Sequence, residues 1–173
     1  MENVAGILLA AGKSSRMGSM KQTLPFRGKT LLGHSLAQAL HSNLAEVILV
    51  LGHRCEEIEK TIPSALFGDK LRIVENRNYS KGLSTSIIAG LDAVGNRYNH
   101  VMILLADMPG VETEMINLLM VRYLVSGLPA GAISAGGRAV HPVIFSAGLY
   151  PEIKRLTGDV GARSILKANG DRI

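Results

Sequence analysis

A loop that carries two glycines and several cations follows the first apolar segment of this chain, between residues 10 and 21. Gly12 and Gly18 allow the backbone to approach a ligand closely, and a turn of successive amides can bind an anion. Arg16 can place a planar guanidinium on phosphate oxygens, and Lys21 supplies a compact charge. These residue types in this spacing predict a site for a polyphosphate.

Two common nucleotide-binding patterns are absent from this loop. The P-loop pattern Gly-x-x-x-x-Gly-Lys-Ser/Thr is missing. The Gly-x-Gly-x-x-Gly pattern of dinucleotide-binding folds is missing as well. The residue types alone therefore leave two interpretations open, a triphosphate site and an ordinary strand-to-helix loop with a solvated basic edge.

A single carboxylate follows the most apolar run of the chain, at residues 100–106. Asp107 comes directly after this run, and Pro109 ends the strand pattern. Magnesium is usually held by one or two carboxylates together with substrate phosphates. Asp107 is therefore a candidate metal ligand, and the alternative is a cap for the turn that follows.

Apolar runs alternate with helical patterns along the chain, which predicts βαβ units and a mainly parallel sheet. The fold class expected is a three-layer α/β/α, Rossmann-like, doubly wound domain. Ligands bind beyond the carboxyl ends of such strands. The elements predicted are strands at 4–10, 46–51, 71–74, 100–106, 130–134 and 142–145, and helices at 30–42, 54–61, 85–94, 112–125, 147–156 and 160–169.

Composition narrows the class of protein. The 173 residues suit one domain, 47% are hydrophobic, and no apolar run reaches the roughly 18 residues of a membrane span. The formal charge is +5, but the cations are scattered and aromatics are only 4%, which argues against nucleic acid as a partner. A lone cysteine, Cys55, excludes an internal disulfide, which is typical of a cytoplasmic protein. Because a membrane-length apolar run is also missing, we expect no membrane contact.

The loop resembles the signature of the MobA-like nucleotidyltransferases. LAAG at 9–12 and SSRMG at 14–18, followed by Lys21, match that signature. Similar segments continue along nearly the whole chain, namely LLGHSL, VILVLGH, NYSKGLSTSIIAGL, LLADMP, HPVIF and TGDVGARSIL. Together they look most like molybdenum cofactor cytidylyltransferases of the MocA type. Residues 1–173 are therefore expected to form a single MobA-like domain with the nucleotide-diphospho-sugar transferase fold.

The resemblance implies a reaction, a metal ion and a set of site residues. CMP would pass from CTP to a molybdopterin-type acceptor with release of pyrophosphate, Mg²⁺ would be held by Asp107, and a molybdenum hydroxylase is a possible client. Alanine at position 11 fits a pyrimidine nucleotide better than the glycine of the guanylyltransferase branch. The catalytic residues implied are Arg16, Lys21 and Asp107. The nucleotide would contact Leu9, Ala10, Ala11, Gly12, Lys13, Ser14, Ser15, Gly82 and Ser86, and the acceptor would contact Arg138 and His141.

One departure from the family keeps other functions open. The family has a second metal carboxylate near its C-terminus, and we find no matching segment before Ile173, so the usual last strand is expected to be absent. Three alternatives remain. They are the same chemistry on a sugar phosphate or methylerythritol phosphate, a dye-type reductase, and a non-catalytic protein that delivers cofactor to a molybdenum enzyme.

Overall fold

A computed structural model describes residues 3–12 and 21–173 of the chain. The strands are β1 (Val4–Leu9), β2 (Pro25–Phe26), β3 (Lys29–Thr30), β4 (Glu46–Leu51), β5 (Leu71–Glu75), β6 (His100–Leu105), β7 (Ala130–Ala135) and β8 (Arg138–Ser146). The α-helices are α1 (Leu31–His41), α2 (Cys55–Glu59), α3 (Leu83–Val94), α4 (Thr113–Ser126), α5 (Tyr150–Ile153) and α6 (Arg163–Ala168).

The central sheet has the strand order β5-β4-β1-β6-β8-β7. The pairs β1–β4, β4–β5 and β1–β6 are parallel, whereas β8 runs antiparallel to both β6 and β7. Among the described strands of this sheet, β8 is thus the only one that runs in the opposite direction. The predicted mainly parallel sheet is confirmed.

Helices cover both faces of the sheet because side chains of the buried strands alternate between the faces. In β1, Leu8 packs in the same cluster as Leu36 of α1 and Ile116 of α4. The neighbouring Ile7 packs instead in the cluster that contains Leu91 of α3. The molecule is therefore a three-layer, doubly wound α/β/α domain, as the alternating pattern predicts.

The winding of the chain reverses at β1. The strands β4 and β5 lie on one side of β1, whereas β6, which follows α3, lies on the other side. At such a switch point the connections leave β1 and β6 in opposite directions, and a crevice opens beyond their carboxyl ends. The fold therefore places residues 10–12, which follow β1, at the same edge of the sheet as Asp107, which follows β6.

Proline explains two differences from the predicted elements. The helix expected over residues 147–156 is a 3₁₀ turn followed by the short α5, because Pro151 is tolerated only in the first turn of a helix. The strand expected over 142–145 is the longer β8. Pro142 fits there because the pairing with β7 shifts register between Ala132 and Ile133.

A small hairpin of β2 and β3 was not predicted. Its turn residues, Arg27 and Gly28, both have positive φ, at 47° and 76°, which is typical of a type I′ turn. Across the described ranges, every helix is too short or too polar to cross a bilayer.

Candidate nucleotide site

A cavity of about 510 Å³ opens beyond the carboxyl ends of β1 and β6, at the switch point. It is lined by the backbone that follows β1, by the first turn of α3 and by the residues after β6. Most of the predicted site residues within the described chain meet here. They are Leu9, Ala10, Ala11, Gly12, Lys21, Gly82, Ser86 and Asp107.

The backbone of residues 9–12 forms one wall of the cavity and is held from several sides. The Ala10 amide donates to the carbonyl of Val50, at 2.9 Å, and the Leu9 carbonyl accepts from the amide of Ala106, at 3.1 Å. Gln22 adds two further hydrogen bonds from its side chain, to the carbonyls of Ala10 and Gly12, each at 2.9 Å. This wall is therefore preorganised, unlike a solvated surface loop.

Lys21 and Asp107 face each other across the mouth of the cavity. The Nζ of Lys21 lies 3.5 Å from Oδ2 of Asp107, and both side chains are nearly half exposed, at 44% and 46%. An ion pair of this exposure stabilises a fold by less than about 1 kcal/mol. A ligand could therefore replace it at little cost to stability, and both groups are placed to meet a phosphate or a cation.

Helix α1 fixes the segment that carries Asp107. The Ser35 hydroxyl donates to the carbonyl of Ala106, at 3.0 Å, and the Nε2 of His34 lies 3.2 Å from the carbonyl of Pro109. Both side chains are buried. Asp107 therefore stands on an anchored turn while its carboxylate remains exposed.

The N-terminus of α3 forms the opposite wall and depends on a distant loop. Gly82 has φ +115° and ψ 170°, a conformation that is essentially restricted to glycine. The carbonyl of Gly158 accepts from the Ser84 amide, at 3.1 Å, and Oδ1 of Asp159 accepts from the Leu83 amide, at 3.3 Å. Asp159 thus caps the helix at its positive end, and it also lines the cavity.

Substituting Gly82 by alanine should damage both the fold and nucleotide binding. A Cβ at this position would lie 2.2 Å from the carbonyl carbon of Gly158, and the positive φ adds strain. We expect a loss of about 2 kcal/mol or more in the free energy of unfolding. Thermal unfolding and nucleotide titration would measure both effects. Gly68→Ala is the control, because its Cβ would meet no atom within 4 Å. Unchanged nucleotide affinity in Gly82→Ala would contradict this account of the wall.

Asn76 positions the hydroxyl of Ser86, and sequence reasoning missed it. Its buried amide donates from Nδ2 to the hydroxyl oxygens of Ser86 and Thr85, both at 2.9 Å, and its Oδ1 accepts from the Asn78 amide. Because Ser86 Oγ accepts from Asn76, the Ser86 proton can be donated into the cavity. The available signal was the place of Asn76 directly after β5, at the binding edge of the sheet.

Arg138 and His141 do not line the cavity. Arg138 is exposed at the start of β8, whereas His141 is buried in the same strand, with Nδ1 3.3 Å from the carbonyl of Ile103. Burial lowers the pKa of His141 below its usual value, so the imidazole is neutral at physiological pH. The expected contacts of these two residues with an acceptor remain predictions.

Part of the predicted phosphate loop lies outside the described residues. This applies to Lys13, Ser14, Ser15 and Arg16, which belong to the range 13–20. Their roles toward the triphosphate therefore remain predictions.

The cavity suits a divalent cation that is shared with a phosphate ligand. Within residues 3–12 and 21–173, no three His, Cys, Asp or Glu side chains cluster to hold a metal by themselves. Magnesium does not require such a cluster, since one or two carboxylates and substrate phosphates suffice. The half-exposed carboxylate of Asp107 in the cavity fits this need.

A crevice at the switch point of a doubly wound sheet, with a preorganised backbone wall and a lysine–carboxylate pair, defines a nucleotide-binding α/β domain. The chain belongs to the MobA-like NTP transferase family, whose domain model matches residues 6–173. Family, fold and cavity together make this protein a nucleotidyltransferase of the MobA-like type.

Curated relatives of this chain carry different functions. It is 33% identical over 171 residues to nicotine blue oxidoreductase of Paenarthrobacter nicotinovorans. The matched region is 95% of this chain and 81% of the relative. It is 31% identical over 167 residues to the purine catabolism protein PucB of Bacillus subtilis, covering 94% and 80%. It is 35% identical over 148 residues to the molybdenum cofactor cytidylyltransferase of Escherichia coli, covering 84% and 71%.

Solved structures confirm the fold class. Rv0371c from Mycobacterium tuberculosis superimposes with a TM-score of 0.83 at 25% identity, over 96% of this chain and 82% of that one. The same protein in complex with manganese gives a TM-score of 0.77 at 25% identity, over 95% and 82%. A 4-diphosphocytidyl-2C-methyl-D-erythritol synthase from Anaerococcus prevotii, at 18% identity and a TM-score of 0.73 over 99% and 83%, shares the fold.

Proposed function

We propose that this protein transfers CMP from CTP to a phosphorylated acceptor of the molybdopterin type and releases pyrophosphate. The observation that carries the proposal is the single cavity that joins the backbone of 9–12, Ser86 and the Lys21–Asp107 pair. Similarity to the E. coli cytidylyltransferase and the alanine at position 11 support CTP as the nucleotide. A molybdenum hydroxylase is the proposed client of the product.

The reaction is an in-line displacement at the α-phosphorus. An oxygen of the acceptor's terminal phosphate forms the new P–O bond, and the bond to the β-phosphate breaks as pyrophosphate leaves. Little proton transfer is required, because a phosphate nucleophile is already ionised. Catalysis therefore comes from positioning and charge stabilisation.

The chain's own residues supply those two effects. The preorganised wall at 9–12 and the hydroxyl of Ser86 would hold the nucleoside, so that the triphosphate reaches the mouth of the cavity. Lys21 and Arg16 would then stabilise charge on the triphosphate and on the leaving pyrophosphate. A divalent ion at Asp107 would offset the repulsion between the two anionic substrates, and the manganese complex of the related Rv0371c supports a divalent ion.

Nucleotide choice tests the proposal. Calorimetry in the presence of Mg²⁺ should show tighter binding of CTP than of GTP, because position 11 is alanine where the guanylyltransferase branch has glycine. GTP binding that equals or exceeds CTP binding would contradict the cytidylyl assignment and leave the fold unaffected.

Similarity to nicotine blue oxidoreductase along 95% of the chain favours one second candidate, a dye-type reductase. The two candidates differ in their redox requirement. A reductase would oxidise NADH in the presence of a dye or carry a flavin spectrum, whereas a cytidylyltransferase would do neither.

A further inference from the structure

Gln22 joins the wall of the cavity through its side-chain amide. It lies in the turn Lys21–Thr23, only 6% of it is exposed, and it lines the cavity. Its Nε2 donates to the carbonyls of Ala10 and Gly12, each at 2.9 Å. A primary amide nitrogen has two hydrogens, so this group is fully used. The opposite orientation would set Oε1 against two carbonyl oxygens, which are acceptors as well.

The other half of the amide, Oε1, has no partner among the residues that the structure describes. This oxygen is also buried. A buried acceptor without a partner destabilises a fold, and an apolar side chain of similar size would avoid that cost. Packing alone therefore does not explain a glutamine here, and its two hydrogen bonds to the wall indicate a role in the site.

Neighbouring carbonyls around the cavity are also engaged as acceptors. The carbonyl of Leu9 accepts from the Ala106 amide, at 3.1 Å, and that of Leu105 from the Met108 amide, at 3.3 Å. The carbonyl of Ala106 accepts from the hydroxyl of Ser35. Together with Gln22, these contacts already satisfy one lone pair on each of these carbonyls, so a ligand donor would gain less from them than from a free carbonyl.

Donors are what this part of the cavity offers instead. Over residues 3–12 and 21–173, no backbone carbonyl accepts from the amides of Ala11 and Gly12. Ser86 accepts from Asn76, at 2.9 Å, so its own hydroxyl hydrogen can be donated to a ligand. A base bound here would therefore be read mainly through its own acceptor atoms.

We infer that Gln22 is a specificity-determining residue that selects a base rich in acceptors by occupying the carbonyls of Ala10 and Gly12. Cytosine presents N3 and O2 as adjacent acceptors, whereas the corresponding edge of guanine presents the donors N1–H and N2–H. Guanine would set its donors against the amides and would find the carbonyls already engaged. This inference rests on the proposed function, because it assumes that the base lies against the wall at 9–12.

Binding preference in two variants tests the role of Gln22. Gln22→Leu keeps the volume and removes both donors, and Gln22→Glu keeps the shape and removes them as well. Both free the carbonyls of Ala10 and Gly12 to accept from guanine. We expect the ratio of GTP to CTP dissociation constants, measured by calorimetry with Mg²⁺, to fall by about tenfold or more. Uracil has one donor between two acceptors, so the dissociation constant of UTP should change less than that of GTP.

Gln38→Leu is the matched control. The Oε1 of Gln38 accepts from the amide of Thr113, at 2.9 Å, on the side of α1 that contacts α4, so this variant also removes a glutamine that bridges two segments. It should lose stability without any change in the nucleotide ratio. A merely structural Gln22 would behave in the same way as Gln38.

A measurement on the unaltered protein covers the case in which neither Gln22 variant folds. The triphosphate of 3-deazacytidine lacks the N3 acceptor of CTP, and it should bind about tenfold more weakly if amide donors read that atom. Equal binding of the two nucleotides would overturn the inference. If the wild type prefers CTP and the folded Gln22 variants keep the same ratio of GTP to CTP dissociation constants, the inference is also overturned. The proposed function would still stand in that case. A wild type that prefers GTP would instead refute the proposed nucleotide.

Discussion

Asp107→Asn should strongly reduce metal-dependent pyrophosphate release while the protein stays folded. Asparagine keeps the shape of the side chain and removes the charge that a divalent ion requires. The ion pair lost with Lys21 is nearly half exposed, so the free energy of unfolding should change by less than about 1 kcal/mol. Turnover should fall on the order of a thousandfold, since a metal ion supplies several kcal/mol of charge stabilisation.

The measurement is pyrophosphate release against Mg²⁺ and Mn²⁺ concentration, with a thermal melt of each variant. Asp92→Asn is the matched control, because Asp92 is also about half exposed and pairs with Lys154 at 2.7 Å, near the C-terminal end of α3 and away from the residues that line the cavity. The control should retain full turnover. If Asp107→Asn did the same, its carboxylate would serve only as a cap for the turn after β6.

Lys21→Ala and Arg16→Ala should lower kcat far more than they weaken CTP binding. These cations would act on charge that develops as pyrophosphate leaves, and such interactions raise kcat rather than affinity. Losing one preorganised donor of this kind costs on the order of 100-fold or more in rate. Steady-state kinetics beside direct CTP titration would separate the two quantities.

Lys29→Ala is the control for general charge, because Lys29 is an exposed lysine of the neighbouring hairpin. It should leave both kcat and affinity nearly unchanged. If Lys21→Ala and Arg16→Ala kept their kcat and only bound CTP more weakly, the loop would be a docking surface. A protein that delivers cofactor to a molybdenum enzyme would then be the better interpretation.

Patterns that are local in sequence predicted most of the fold. The runs at β1, β4 and β6 are wholly or mostly buried and apolar, so their strands could be placed from sequence within one residue. The rule that ligands bind beyond the carboxyl ends of parallel strands then placed Asp107 opposite the loop after β1. The cavity brings Asp107 together with residues 10–12 and Lys21.

The missed residues act across long separations in sequence. Gln22 reaches back 12 positions to Ala10, Asn76 reaches 10 positions to Ser86, and Asp159 caps a helix 76 positions earlier. Periodicity carries no signal for such contacts, because each depends on a single polar side chain that meets a distant backbone or hydroxyl group. The extended β8 was missed for a related reason, since tertiary pairing decides how a strand accommodates Pro142. The short α5 is different, because Pro151 is a local signal in the sequence.

The most direct test of the proposed CMP transfer follows the α-phosphate of CTP. The protein would be incubated with Mg²⁺, molybdopterin and CTP labelled at the α-phosphorus. A cytidylyltransferase should move the label to the molybdopterin and release one unlabelled pyrophosphate for each label transferred. Label that stays in CTP, while NADH is oxidised in a parallel reaction with a dye, would contradict the proposed transfer.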